Sequence, residues 1–335
     1  VKIISINEIK EQPNYPYFYL KEYTSFVKKT ESRNVIIFAD EFNTTIVCNI
    51  WINKFLKIIQ PLYPPLAKNG ERLSKQQEFE FLNKWIRFLI KNKITHRIVQ
   101  PENFAIFKSV PENSKFAPFG TYYINLDKNT EQELFQKIHP KHRNVIRNAE
   151  KHNMILKYGI ECIDDFYLLY QQTMKRSNMF CHDISYFNNF FTYLNQSVIC
   201  GVVYFESKPQ GGIFIPYTKY GAFYLYGASA EKIEINGSIN YLHWKTIKYL
   251  KKKGVKRYDF VGARLSDVSG TKLDGIQQFK KRFGAELEEG FLWKMDLNNN
   301  KCNIYDALLN VKTKLKGREI PLDIIDQENR KAYAK

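Results

Sequence analysis

A chain of 335 residues with 44% hydrophobic and 15% aromatic residues can bury a sizeable core, which excludes a disordered or low-complexity protein. Its 51 Lys and Arg against 34 Asp and Glu leave a formal charge of +17. That excess favours an anionic partner such as RNA, a phosphorylated precursor or a membrane surface, although solvated lysine-rich helix faces would produce it too. No apolar run approaches the ~20 residues of a membrane span, and the dispersed Cys48, Cys162, Cys181, Cys200 and Cys302 form no C-x-x-C pair, as in a reducing compartment. The opening VKIISINEIKEQ has no apolar signal-peptide core. The expected location is the cytoplasm, with attraction to the inner face of a membrane.

Tyr19–Lys29 carries apolar residues at helical spacing, and Arg33–Ala39 and Thr44–Trp51 read as strands about a turn. The three prolines of QPLYPPL, residues 60–66, make it a rigid extended loop. Ser74–Asn92 is an amphipathic helix and His96–Val99 a strand. Pro111–Pro118 reads as a crossing between lobes, and Gly120–Asp127 as the strand that opens the second lobe.

Thr130 with Glu133 forms a capping box for a short helix. Pro140 suits the first turn of the next helix, Pro140–His152. There Arg143, Arg147 and Lys151 recur every four residues on one face. Such a stripe suits phosphate or RNA, and equally a solvated surface. Ile163–Ser177 and Cys181–Leu194 read as helices. Ser197–Phe205, Gln210–Pro216 and Phe223–Tyr226 read as an antiparallel meander with a turn at Lys208–Gln210. Ser238–Lys253 is helical, ended by Gly254, and Arg257–Val261 is a strand. A helical turn at Gln277–Arg282, a strand at Gly290–Leu297, a closing helix at Tyr305–Lys316 and a polar tail complete the chain. The expected class is α+β, a small mixed sheet with helices in each half. The expected divisions are residues 1–118, 119–298 and 299–335.

Several chemistries lack their residues. There is no G-x-x-x-x-G-K-[ST] loop, no G-x-G-x-x-G after a strand, no H-E-x-x-H or zinc-spaced Cys/His set, and no G-x-S-x-G elbow. Nothing calls for a metal or an organic cofactor. Transfer by positioning and carbonyl polarisation needs neither a nucleophilic side chain nor a cofactor.

The run YGASAEKIEINGSINYLHWKTIKYLKKKGVKRYDFVGA followed by GIQQFKKRFG resembles the FemABX aminoacyltransferases. HPKHRNVIRNAEK resembles that family's basic helix and QPLYPPL its first-lobe proline loop. The resemblance implies two tandem GNAT-like (acyl-CoA N-acyltransferase-like) lobes with mixed sheets, in the compact form without a coiled-coil arm, and a C-terminal helix folded back on the first lobe. It implies a monomer that moves an amino acid from aminoacyl-tRNA to an amine of a peptidoglycan precursor, lipid-linked or nucleotide-linked. Lys280 matches the FK lysine near the transferred carbonyl, where an ammonium would stabilise an oxyanion. Tyr226 and Tyr186 match tyrosines of the precursor cleft, and Lys28 or Lys29 a first-lobe phosphate grip. Where compact relatives carry a phosphate-binding arginine, this chain has His182, with Arg176 as a substitute. Asp259 matches a motif acid that either orients the acceptor amine or bonds nearby backbone; Trp244 reads as packing. Two other functions fit: an N-acyltransferase using acyl-CoA or an acyl carrier, and a non-catalytic basic RNA-binding protein.

Overall fold

The computed structural model describes residues 1–9, 14–315, 317 and 320–333. In chain order the first elements are β1 (Lys2–Ile4), α1 (Lys21–Glu31), β2 (Asn34–Ala39), β3 (Thr45–Asn53), β4 (Leu56–Pro61), α2 (Lys75–Lys91), β5 (Arg97–Ile98) and β6 (Lys115–Asn125). Next come α3 (Glu131–Lys137), α4 (Pro140–Lys151), β7 (Ile155–Tyr158), α5 (Ile163–Ser177), α6 (Ile184–Leu194), β8 (Val198–Phe205), β9 (Lys208–Pro216), β10 (Ala222–Phe223) and β11 (Tyr226–Ser229). The last are α7 (Ser238–Lys252), β12 (Arg257–Asp259), β13 (Ala263–Arg264), α8 (Lys272–Arg282), β14 (Glu286–Asp296), α9 (Asn299–Leu315) and α10 (Ile324–Tyr333).

Two sheets result, a larger mixed one and a smaller, wholly antiparallel one, in keeping with the α+β expectation. The larger sheet runs β1-β2-β3-β4-β5-β14-β6-β12-β10, with β13 also on β6. The smaller runs β11-β9-β8-β7. The separate small sheet expected in the first half is instead joined to strands of the second. The join is β14, which pairs with β5 at Met295 and Asp296 and with β6 from Glu286 to Lys294.

Local chemistry explains the element ends. Ser74 and Gln77 cap α2 reciprocally, as Thr130 and Glu133 cap α3. Pro140 occupies the first turn of α4 behind the N-cap His139. Gly237 opens α7 at φ 97°, where an added Cβ would lie 2.2 Å from the Val145 carbonyl, so only glycine lets α7 approach α4 this closely.

Several elements differ from the sequence expectation. The crossing expected at Pro111–Pro118 is largely strand, because β6 begins at Lys115. Pro118 faces Phe291, whose N–H and C=O are both spent on Phe107, so the proline's missing N–H costs no ladder bond. The meander's turn lies at Glu206–Ser207, both at positive φ (46° and 64°), rather than at Lys208–Gln210. Its third strand is two strands in different sheets: β10 pairs parallel with β12, and β11 pairs with β9. The chain changes layer between them, at Tyr224–Leu225. The helical turn expected at Gln277–Arg282 is only the second half of α8, which begins at Lys272, and α9 begins six residues before Tyr305. Lys316 lies outside the described residues. The polar tail contains α10, which lays Ile325 on Ala117, Phe119 and Leu292 and pairs its acids with Lys115, Lys294 and Arg264.

The main core crosses from the first-half sheet to α5, α6 and the small sheet. Buried Phe18, Phe26, Phe38, Tyr63, Trp85, Phe166, Phe187 and Trp293 dominate it. At about 1.5–3 kcal/mol for each large buried apolar side chain, they hold the halves together. A second core lies under α4, α7 and α8, centred on Leu242, Ile247, Tyr258, Phe260 and Phe283. Trp244 packs there against Phe135. The closing helix α9 buries Cys302 and Tyr305 against Leu56 and Ile58 of β4.

Candidate functional site

A cleft of about 590 Å³ opens where α1, the segment after β5, the start of α6 and the β10–β11 connection meet. The sequence explains why α1 forms one wall. Tyr23, Phe26 and Thr30 recur at helical spacing and turn inward, and Glu31 ends the helix before Ser32 at φ 53°. Lys28 and Lys29 fall on the opposite face, are exposed and do not line the cleft.

The cation that does line it is Arg33, the sole Lys or Arg among the described lining residues. Its guanidinium lies 4.2 Å from the Trp51 ring centre and 3.2 Å from Glu31. Glu102 faces the same space and accepts from Gln60 at 3.2 Å. Its side chain is open to the cleft, yet the surrounding walls raise its carboxyl above the ordinary value, and the neighbouring Glu31 adds to this. Burial likewise raises Glu31, with Arg33 opposing.

Tyr226, Tyr186 and His182 come together on the facing wall. Asp183 caps α6 through the Ser185 N–H, which fixes the loop before it. The His182 ring stacks on Tyr186 at 4.1 Å and 15°. Its Nε2 lies 3.2 Å from the Tyr226 hydroxyl, which donates to the Tyr186 hydroxyl at 3.3 Å. Burial lowers His182 below its usual value, so at neutral pH it is an uncharged hydrogen-bonding ring rather than a fixed cation. Arg176 does not take that place. It is exposed on α5 and donates to the Ser229 carbonyl at 2.8 Å and to the Ser229 hydroxyl at 3.0 Å.

Lys280 stands one layer behind the cleft. It is 8% exposed, and its ammonium donates to the carbonyls of Val261 and of Gly262, the latter at 2.6 Å. Val261, whose side of the turn lines the cleft, sits at φ 49° and Gly262 at φ 61°. Burial pushes Lys280 down to about 8, and the charge of Asp259 opposes the fall.

Asp259 is fully buried, with its oxygens committed. One accepts from the Thr121 hydroxyl at 2.6 Å and the Val261 N–H at 2.8 Å; the other accepts from Arg257 at 2.7 and 3.1 Å. This is the backbone-bonding alternative of the two weighed for it, and it leaves no oxygen for an acceptor amine. The ion pairs continue from Arg257 to Glu288 (2.6 Å), Arg72 (3.1 Å) and Glu78 (3.7 Å).

The basic helix α4 lies elsewhere. Arg143 donates to the Gln136 carbonyl at 2.7 Å and borders a hollow of about 450 Å³ with Lys137, His139, Lys281 and Arg282. Arg147 lies 5.4 Å from the Phe135 ring centre, and Lys151 is exposed at the helix end. The structure thus brings Tyr186, Tyr226 and His182 into one cleft with Lys280 behind it. It leaves Arg143, Arg147, Lys151, Arg176, Lys28 and Lys29 outside.

Sequence reasoning missed Glu31, Arg33 and Glu102, and with them the buried Tyr17 and Tyr23. The available signal was the tyrosine density of PNYPYFYLKEY, which is too rich for one helix face.

A sequence model described as the FemAB family matches residues 113–210 and 206–292, more than half of the chain. No curated protein matches it in sequence. Among solved structures it is similar to the crystal structure of FemX at 15% identity and a TM-score of 0.66, covering 91% of this chain and 99% of that one. It is similar to L-PGS from Bacillus licheniformis at 13% identity and a TM-score of 0.50, covering 87% and 94%. A conserved protein from Bacteroides thetaiotaomicron is similar at 12% identity and a TM-score of 0.51, covering 88% and 98%. At these identities the likeness is one of fold, a mixed α/β architecture shared over most of each chain. No helix among the described residues is long and apolar enough to cross a membrane.

Proposed function

The chain belongs to the FemAB family, and from that premise we propose that it is an acyltransferase that moves an amino acid from aminoacyl-tRNA to an amine of a peptidoglycan precursor. The observation that carries the reading is the cleft. It sets a pair of carboxylates, Glu31 and Glu102, among tyrosine rings, and one of its walls is the Val261 turn clamped by the buried Lys280. Carboxylates and aromatic faces suit a cationic amine.

The proposed reaction runs as follows. An acceptor ammonium loses a proton to Glu102, whose raised carboxyl suits a base better than an ordinary glutamate. The freed lone pair attacks the ester carbonyl, and negative charge gathers on its oxygen. An ammonium has three donors. Lys280 spends two on Val261 and Gly262, leaving one for the oxyanion. Collapse breaks the ester bond; the attacking nitrogen sheds its second proton to the departing ribose oxygen, which leaves as a hydroxyl, and the product is the neutral amide. Arg33 is the proposed grip for an anionic group of the precursor, in the role expected of Lys28 or Lys29, with Tyr186, Tyr226 and His182 shaping the opposite wall. The hollow at Arg143, Lys281 and Arg282 is the proposed contact for the tRNA backbone. The proposed lobes are residues 1–118 and 119–298, with residues 299–335 following.

The test is transfer. The purified protein is incubated with a mixture of charged tRNAs and either lipid II or a nucleotide-linked muropeptide, and in parallel with acyl-CoA and the same acceptors. Amide formation from charged tRNA supports the reading. Transfer from acyl-CoA alone replaces it with an N-acyltransferase, and RNA binding without transfer replaces it with a non-catalytic protein.

A further inference from the structure

The helix α9 has two unlike faces. One packs on the protein through Cys302, Tyr305 and Leu309, with its single acid, Asp306, held by Arg97 at 2.7 Å. The other carries Ile304, Leu308, Val311 and Leu315, which are 56%, 44%, 58% and 83% exposed. Their spacing of four, three and four residues sets them in one line along the helix. Lys301 and Lys312 border that line on one side and Lys314 on the other, all exposed. No acidic residue of α9 lies on this outer half. At the tip of the β3–β4 hairpin, exposed Lys54 and Phe55 adjoin it, with the Phe55 ring 6.1 Å from Tyr305.

We propose that the outer face of α9 is a docking surface for an anionic lipid bilayer. Four aligned apolar side chains on a helix of 17 residues, about 25 Å long, suit shallow insertion in the plane of an interface. The bordering lysines reach the headgroups while their stems lie along the apolar line. Charge decides between a bilayer and the obvious alternative, a second copy of the chain. The spacing would serve a helix pair, but the flanking positions that face each other in such a pair would be Lys312 and Lys314, cation against cation. The net charge of +17 sets any two copies against each other and draws both toward an anionic surface. The inference stands independently of the acyl-transfer reading.

The experiment is sedimentation of the full chain with vesicles. One set is equimolar phosphatidylglycerol and phosphatidylcholine, and the other is phosphatidylcholine alone. The expected result is binding to the anionic vesicles that weakens with salt, and little binding to the neutral ones. Leu308→Asp with Val311→Asp changes only exposed positions, and it is expected to weaken anionic binding roughly tenfold or more with an unchanged melting temperature. Leu315→Asp, in the last turn, gives the same reading if the double variant is unstable. Lys312→Gln with Lys314→Gln is expected to remove most of the salt dependence. Failure of the wild type to bind anionic vesicles overturns the proposal, as does binding that survives the aspartates. A dimer in sedimentation equilibrium that the aspartates dissociate would assign the face to a second copy instead.

Discussion

The Lys280 ammonium donates to the Gly262 carbonyl across 2.6 Å. It closes one side of a turn that Asp259 closes on the other through the Val261 N–H. Val261 is β-branched and held at φ 49°, a conformation that costs about 1–2 kcal/mol and persists only where surroundings impose it. A buried cation on the carbonyls and a buried anion on the N–H impose it here. The FK lysine is therefore part of the scaffold as well as a candidate for the chemistry.

The two roles separate in one variant. Lys280→Met leaves two carbonyls without their donor, and is expected to cost about 1–3 kcal/mol of stability. If its third N–H meets the oxyanion, kcat falls a further ~10²–10³-fold with the protein still folded. The wild-type rate is expected to decline as pH rises through about 8, where the ammonium is lost. The residual rate of the methionine variant should lack that decline. A wild-type profile flat through this range would remove Lys280 from the reaction.

Asp259 provides a second handle on the same group. Its charge holds Lys280 up against the effect of burial. Asp259→Asn is therefore expected to move the alkaline decline of kcat to lower pH. It also strips Arg257 of one of two carboxylate partners in a buried network, at a cost of about 3 kcal/mol. Thermal unfolding measures the cost, and the pH profile distinguishes positioning from mere destabilisation.

Acid should destabilise the fold through two buried rings. His142 and His243 pack against Phe279 and Phe283, and burial pushes them down to about 4 and about 3. Above pH ~6.5 both rings are neutral in native and unfolded chains alike. Below it the unfolded chain takes up protons that the native fold refuses, so stability falls with pH until the native values are reached. His142 alone accounts for about 3 kcal/mol over that interval. Urea midpoints across this range, in the wild type and in His142→Gln, provide the check: the variant should show a shallower loss.

Much of the fold was legible where local chemistry decides it. The helices Ser74–Asn92 and Ile163–Ser177, the capping box at Thr130, and Pro140 in a first turn all appear as read. What escaped depends on distant partners. The last strand was expected only from Gly290, but β14 begins at Glu286, where Glu288 meets Arg72 and Arg257. α10 has little apolar stripe because Asp326 and Glu328 are held by Lys115, Lys294 and Arg264. The site divides the same way. Tyr186, Tyr226 and His182 were found because motifs mark them, whereas Glu31 and Arg33 flank a helix end and Glu102 lies in a loop some 70 residues on. Only the folded cleft puts those three side by side.

That trio carries the last prediction. Glu31 and Glu102 face one cleft, and each is raised by enclosure, so they share a site built to hold positive charge or to accept a proton. A base that takes the amine proton acts in the reaction itself, so Glu102→Gln is expected to lower kcat by ~10²-fold or more with a modest change in KM. Its raised carboxyl also places the acidic decline of the wild-type rate above the ordinary glutamate value of 4.5. Glu31 is paired with Arg33 at 3.2 Å and acts on binding, so Glu31→Gln should raise KM for the amine acceptor and leave kcat within a few-fold. Arg33→Gln should raise KM for acceptors that bear an anionic group and spare those without one. Steady-state rates with matched acceptors across pH separate the three. An unchanged kcat in Glu102→Gln would move the base elsewhere, and equal losses in all three variants would reduce the trio to a structural cluster.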